Sequence, residues 1–160
     1  MVNANQDSID LILDQHGRIR TLFEEVLAFW SGGEKVPRYS PPAFQRTFAR
    51  LRQELEAHLE AEERVFYPFF SRFDEFRTLL TQSFDQNRLI HDLIVETASL
   101  REEGRIEKSV HALKHAFDRH AEAEETDFLP LARKVVSRQE RTLLARQYES
   151  IWRERSKVAA

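Results

Sequence analysis

Residues 58–70 read HLEAEERVFYPFF and residues 120–132 read HAEAEETDFLPLA. His, Glu, Ala, Glu, Glu, Phe and Pro coincide without a gap, so the chain carries two copies of one pattern. In each copy a histidine stands four residues before a glutamate (His58 and Glu62, His120 and Glu124), a spacing that stacks two side chains on one face of a helix. Upstream of the first copy, Phe44, Phe48, Leu51 and Leu55 lead into His58 and Glu62, and Val65 and Phe69 continue beyond, in steps of three and four. Ile106, Val110, Leu113 and Phe117 lead into His120 and Glu124 in the same rhythm, followed by Phe128, Leu131 and Val135. Both are bundle seams in which a histidine and a glutamate replace two apolar residues.

The breakers set the helices around these seams. The chain of 160 residues has four glycines and five prolines, and their clustering leaves long stretches that helices fill. SGGEKVPRYSPP (31–42) is a loop that ends with Ser40 as N-cap and Pro41 at the first helical position. Gly104 suits a C′ position, and Ser83 with Gln86 and Ser137 with Glu140 have capping-box spacing. Helices are expected over about 7–31, 41–70, 83–103, 105–135 and 138–156. The expected fold is all-α, an up-down-up-down antiparallel four-helix bundle over about 7–135 with an additional C-terminal helix, in a single domain spanning 1–160. That last helix carries Leu144, Tyr148, Ile151 and Trp152 and must bury them on the bundle or, in a homodimer, on a second copy.

Composition excludes several classes. Twenty-four basic and 27 acidic residues give a net charge of −3 with both signs mixed along the chain, unlike a nucleic-acid binder. No apolar run approaches the roughly 18–20 residues that cross a bilayer, and MVNANQDSID has no signal-peptide pattern. The expected location is cytoplasmic, with no membrane partner. With no cysteine, any metal is held by nitrogen and oxygen.

The expected core is unusual in its charge. The first helix brings Ile9, Ile12, His16, Ile19 and Phe23 to its seam, and the third brings Phe84, His91, Ile94 and Ala98. Counting from the turns puts His16 level with His58 and His91 level with His120 to within about one turn. Four histidines and two glutamates therefore meet in one layer: His16, His58, Glu62, His91, His120 and Glu124. Carboxylates buried in a bundle cost several kcal/mol unless a cation compensates them. Six such donors suit two metal ions with Glu62 and Glu124 placed to bridge them, iron foremost, with manganese and zinc compatible with the same atoms. The order His-x-x-x-Glu differs from the Glu-x-x-His of ferritin-like di-iron bundles. Zinc-protease, phosphate-loop and nucleophile-elbow motifs are absent.

His16 in LILDQHGRI, His58 and Glu62 in HLEAEERVFYP, His91 in RLIHDLI, and His120 and Glu124 in HAEAEETDFLP resemble the hemerythrin-like, or HHE cation-binding, family. The resemblance implies a non-haem di-iron centre with two carboxylate bridges and an oxo or hydroxo bridge. It also implies oxygen, peroxide, nitric oxide or iron itself as the small ligand, in a redox enzyme or in a non-enzymatic sensor, carrier or iron-handling protein. Oxygen-carrying members bear a second histidine four residues after the one on the third helix, where this chain has Val95, with Glu96 one position on. Fewer histidines favour peroxide or nitric oxide chemistry, or iron sensing, over reversible oxygen carriage. Glu63 and Glu125 fall about 100° off the seam and read as solvated charges, although the family's last bridge occupies the position of Glu125. His111 and His115 read as surface residues, and Tyr67 as an edge-of-core residue near the end of the layer.

Overall fold

A computed structural model describes residues 7–32 and 39–158, and among them there is no strand. The helices are α1 (Ser8–Leu27), α2 (Pro41–Ala61), α3 (Tyr67–Phe70), α4 (Arg77–Ser99), α5 (Glu103–Ala123), α6 (Leu129–Val135) and α7 (Arg138–Val158). Among them α1, α2, α4 and α5 form the antiparallel up-down-up-down bundle, and α7 lies along α1 and α2. Residues 33–38 of the expected loop lie outside the described residues.

Apolar faces fold the chain around two clusters. Phe23, Phe48, Leu51, Leu55, Ile94 and Phe117 belong to one, and Ile12, Phe66, Phe70, Phe76, Phe128 and Tyr148 to the other. The buried histidines and glutamates separate them. Ser137 and Glu140 form the expected capping box at α7, with Ser137 Oγ donating to Glu140 at 2.6 Å and Glu140 N–H donating to Ser137 Oγ at 3.4 Å. Ser40 precedes Pro41 in extended backbone, but its side chain makes no cap bond. The C-terminal stripe is buried within the chain itself, Leu144, Ala145 and Tyr148 packing into the second cluster.

Three expectations are corrected. First, α2 and α5 do not continue as regular helices through their glutamates, because each opens into a π-helical turn, Glu62–Phe66 and Glu124–Phe128. Tyr67 N–H donates to Glu62 C=O and Leu129 N–H to Glu124 C=O, five residues back. Pro68 and Pro130 follow one residue later in both copies, and a proline clashes with the carbonyl four back and offers it no donor. The wide turn relieves both problems and advances the seam by one residue. Phe66, Tyr67 and Phe70 are buried where Val65 and Phe69 were expected, and Leu129 and Ala132 replace Leu131.

Second, α4 begins at Arg77, following a 3-10 turn at Asp74–Phe76, so Ser83 lies buried inside the helix and opens nothing. The apolar run at Leu79 and Leu80 carries the helix upstream, anchored by fully buried Phe76. Gly104 sits in the first turn of α5, where its N–H donates to Glu102 at 2.9 Å; among the described glycines only Gly32 has positive φ, 72°. Third, the inward face of α4 is Leu80, Ser83, Asn87, Ile90, Ile94 and Thr97, whereas Phe84 is 47% exposed. Three polar residues on that face disguise it, and the apolar Phe84 lies off it.

A buried ion pair ties the first helix to the last. Asp7 caps α1 by accepting from Ile9 N–H at 3.0 Å, and its other oxygen takes Arg141 Nε at 2.7 Å. Arg141 also donates to the Val136 and Arg133 carbonyls at the end of α6. Removing one partner strands the other, so Asp7→Ala and Arg141→Ala should each cost about 3 kcal/mol in urea unfolding. Losses below about 0.5 kcal/mol, typical of surface changes, would contradict this assignment.

Candidate metal centre

Five of the six expected ligands meet at the centre of the bundle: His16 from α1, His58 from the end of α2, Glu62 from the π turn that follows, His120 from the end of α5, and Glu124 from the second π turn. One donor atom from each lies within 4.8 Å of the other four, and all five residues are fully buried. All three imidazoles turn Nε2 inward. His58 Nε2 lies 3.1 Å from Glu62 Oε1, His16 Nε2 3.4 Å from Glu124 Oε2, and His120 Nε2 3.5 Å from Glu62 Oε2 and 3.8 Å from Glu124 Oε2. None of these contacts has hydrogen-bond geometry, so the three Nε2 atoms, Glu62 Oε1 and Glu124 Oε2 are buried polar atoms without a partner. Unpaired atoms of this kind cost about 1–3 kcal/mol each. Their convergence on one volume, with hard oxygen and borderline nitrogen donors, fits a divalent or trivalent cation.

The far side of two rings is held by neighbours. His16 Nδ1 is 2.9 Å from Glu125 Oε1, which also accepts from Arg20 at 2.9 Å. His58 Nδ1 donates to Gln15 Oε1 at 2.9 Å, and Tyr148 of α7 donates to the same oxygen at 2.8 Å while its hydroxyl oxygen lies 3.0 Å from His58 Nδ1. Placing the proton on Nδ1 leaves the Nε2 lone pair aimed into the cluster. Tyr67 Oη lies 3.0 Å from both Glu62 Oε2 and Glu124 Oε1, and Asn87 Nδ2 donates to Glu62 Oε2 at 3.4 Å.

His91 is not brought to the cluster. Its side chain is 41% exposed and pairs with Glu63 at 3.6 Å, a contact that raises its pKa and lowers that of Glu63. The internal duplication shows why. Ile12, His16, Ile19, Phe23 and Val26 of α1 correspond in burial to Ser83, Asn87, Ile90, Ile94 and Thr97 of α4. Asn87 therefore stands where His16 stands, touching Glu62 as His16 touches Glu124. His91 corresponds to Arg20, each reaching the glutamate that follows a cluster glutamate. Gly104 was a misleading origin for counting, because α4 ends at Ser99.

Glu125 and Glu63 are likewise not free charges; Tyr67, placed by the sequence only at the edge of the layer, is buried within it, and Tyr148 joins the site without any sequence signal for it. The π turn swings Tyr67 inward, and Tyr148 could have been found only by placing the last helix. His111 and His115 are exposed as expected.

The protonation pattern follows from burial and mutual charge. Burial, then the charge of Glu124, pushes the Glu62 carboxyl well above the carboxylate range. Burial pushes Glu124 in the same direction, but His120, His16 and His58 outweigh it and hold the group down at about 2. Burial lowers His58 and, to about 4, His120. It also opposes the proton on His16, but Glu124 and Glu125 outweigh it and raise that pKa.

A raised carboxyl favours the folded state below its unfolded pKa, and that advantage is lost as pH rises through the folded value. After removal of metal with a chelator, Glu62→Gln should therefore be more stable than wild type at pH 8, by about 2 kcal/mol or roughly 4–8 °C in Tm. The margin should shrink toward pH 4.5. A variant less stable at pH 8 would show that Glu62 supports the fold rather than burdening it.

The sequence profile of the hemerythrin HHE cation binding domain matches residues 7–140. No curated protein sequence matches the chain. A crystal structure of a hemerythrin HHE cation binding domain-containing protein from Mycobacterium kansasii superposes with a TM-score of 0.79, covering 96% of this chain and 89% of that one at 19% identity. That likeness is one of fold. On the profile match, and with a buried His/Glu cluster of cation-binding type at its centre, the chain belongs to the hemerythrin HHE cation-binding domain family.

Proposed function

We propose that the chain is a non-haem di-iron protein in which His16, His58, Glu62, His120 and Glu124 would hold two ions, for binding and reducing a small oxidant such as peroxide or nitric oxide. The observation that carries this reading is the convergence of five buried donors, each with an atom lacking a hydrogen-bond partner. Two iron ions supply one-electron steps from each ion and coordination positions that five protein donors leave open. His91 is left out of this ligand set, because its ring is half-exposed against Glu63.

The chain's own residues supply the rest. Glu125 on His16, and Gln15 with Tyr148 on His58, hold the Nδ1 side of each ring and fix the planes of both, so that Nε2 faces the cluster. Tyr67 aims its hydroxyl at both carboxylates and can pass a proton to a ligand bound beside them. Phe117 packs within 5.8–6.2 Å of all three rings and excludes bulk water on that side. Every cluster residue is fully buried, so only a small molecule can reach it, and α2 and α4 pack the least closely of the neighbouring bundle pairs. Asn87 and the His91–Glu63 pair lie along that seam, so we assign the entry there.

Burial raises the Glu62 pKa, so metal binding should release protons and weaken as pH falls. Calorimetry in buffers of different ionisation enthalpy measures this, and uptake without proton release would contradict the assignment of Glu62. Metal analysis should give about two irons per chain, and peroxide consumption should vanish in His58→Ala and Glu124→Ala. Ligand binding without turnover in wild type would leave a sensor or carrier. Absence of iron after anaerobic reconstitution would end the reading.

A further inference from the structure

The two halves of the bundle treat their second-helix histidines differently. In the first half, His58 Nδ1 donates to Gln15 Oε1, and Tyr148 presses on the same amide from α7. The correspondence that equates His16 with Asn87 equates Gln15 with Gln86, just as His58 corresponds to His120. Gln86 Oε1 is a buried acceptor without a partner, and His120 Nδ1 is a buried ring nitrogen without a partner. Gln86 lies in the groove between α4 and α5 beside Ala116 and Arg119, one turn before His120 and directly before it. Among the described residues no helix covers that groove as α7 covers α1 and α2, so none presses the amide onto the ring.

We propose that Gln86 is the positioning residue for His120. When a cation takes His120 Nε2, the ring keeps its proton on Nδ1, and rotation of the Gln86 side chain gives that proton an acceptor. One movement satisfies two unpartnered groups and reproduces the Gln15–His58 bond of the other half. The inference rests on the proposed metal site, and it adds that the two ions are held by a duplicated Gln–His device of which only the first copy is braced by α7.

Zinc, which is diamagnetic and takes the same donors, provides the probe. In zinc-loaded wild type, the His120 Nδ1 proton should be visible by NMR and slow to exchange. Gln86→Leu should speed its exchange and accelerate zinc loss to a chelator by about tenfold or more, and Gln86→Glu, which restores an acceptor, should reverse both. Gln15→Leu provides the comparison at His58, and unchanged Tm of metal-free Gln86→Leu separates the effect from misfolding. Zinc binding by wild type with Gln86→Leu indistinguishable in exchange and release would overturn this proposal alone. No zinc binding by wild type would overturn it together with the metal site.

Discussion

Two carboxyl groups buried between apolar clusters set the terms for this molecule. Glu62 and Glu124 are buried, and among the described residues no lysine or arginine pairs with them. Placing charge there costs several kcal/mol; burial and the charge of Glu124 accordingly raise the Glu62 pKa, and Tyr67 sits between the two groups. The surrounding features are consequences. Three imidazoles face the carboxyl groups, outer partners hold two of the rings, and the apolar clusters divide around the layer instead of running through it. A bundle selected only for stability would fill these positions with leucine or phenylalanine.

Duplication explains both the order of the site and its asymmetry. Each half supplies a helix with histidine in its last turn, a π turn opening at glutamate, and a proline that makes the turn wide. The halves then diverge on their first helices, His16 against Asn87 and Arg20 against His91. They diverge again on the outside, where α7 covers α1 and α2 and leaves the groove of α4 and α5 open. A site with an imidazole on one side and an amide on the other has one face poorer in donors, and a small ligand would find room there.

Much of this was legible in the sequence, because the evidence was periodic. The repeat of His, Glu and Pro and the seams of α2 and α5 located four of the five cluster residues, and the helical spacing of α1 located His16. The seam failed beyond Glu62 and Glu124, since a π turn changes the period itself and its cause, a proline two turns into an apolar run, resembles an ordinary helix end. Helix α4 failed for a different reason. Its inward face carries Ser83, Asn87 and Thr97, so hydrophobicity pointed to Phe84, and a histidine about two turns further on completed a pattern that the fold does not use. Tyr148 lies more than eighty residues from His58, and no local spacing reports where a terminal helix lands.

Anomalous scattering at the iron edge from crystals of aerobically purified protein would test the central claim most directly. Two peaks enclosed by His16, His58, Glu62, His120 and Glu124, with Asn87 on the poorer side and His91 beyond reach, are the predicted result. Iron bound at His91 and Glu63, or no peak within the five-residue cluster, would contradict it.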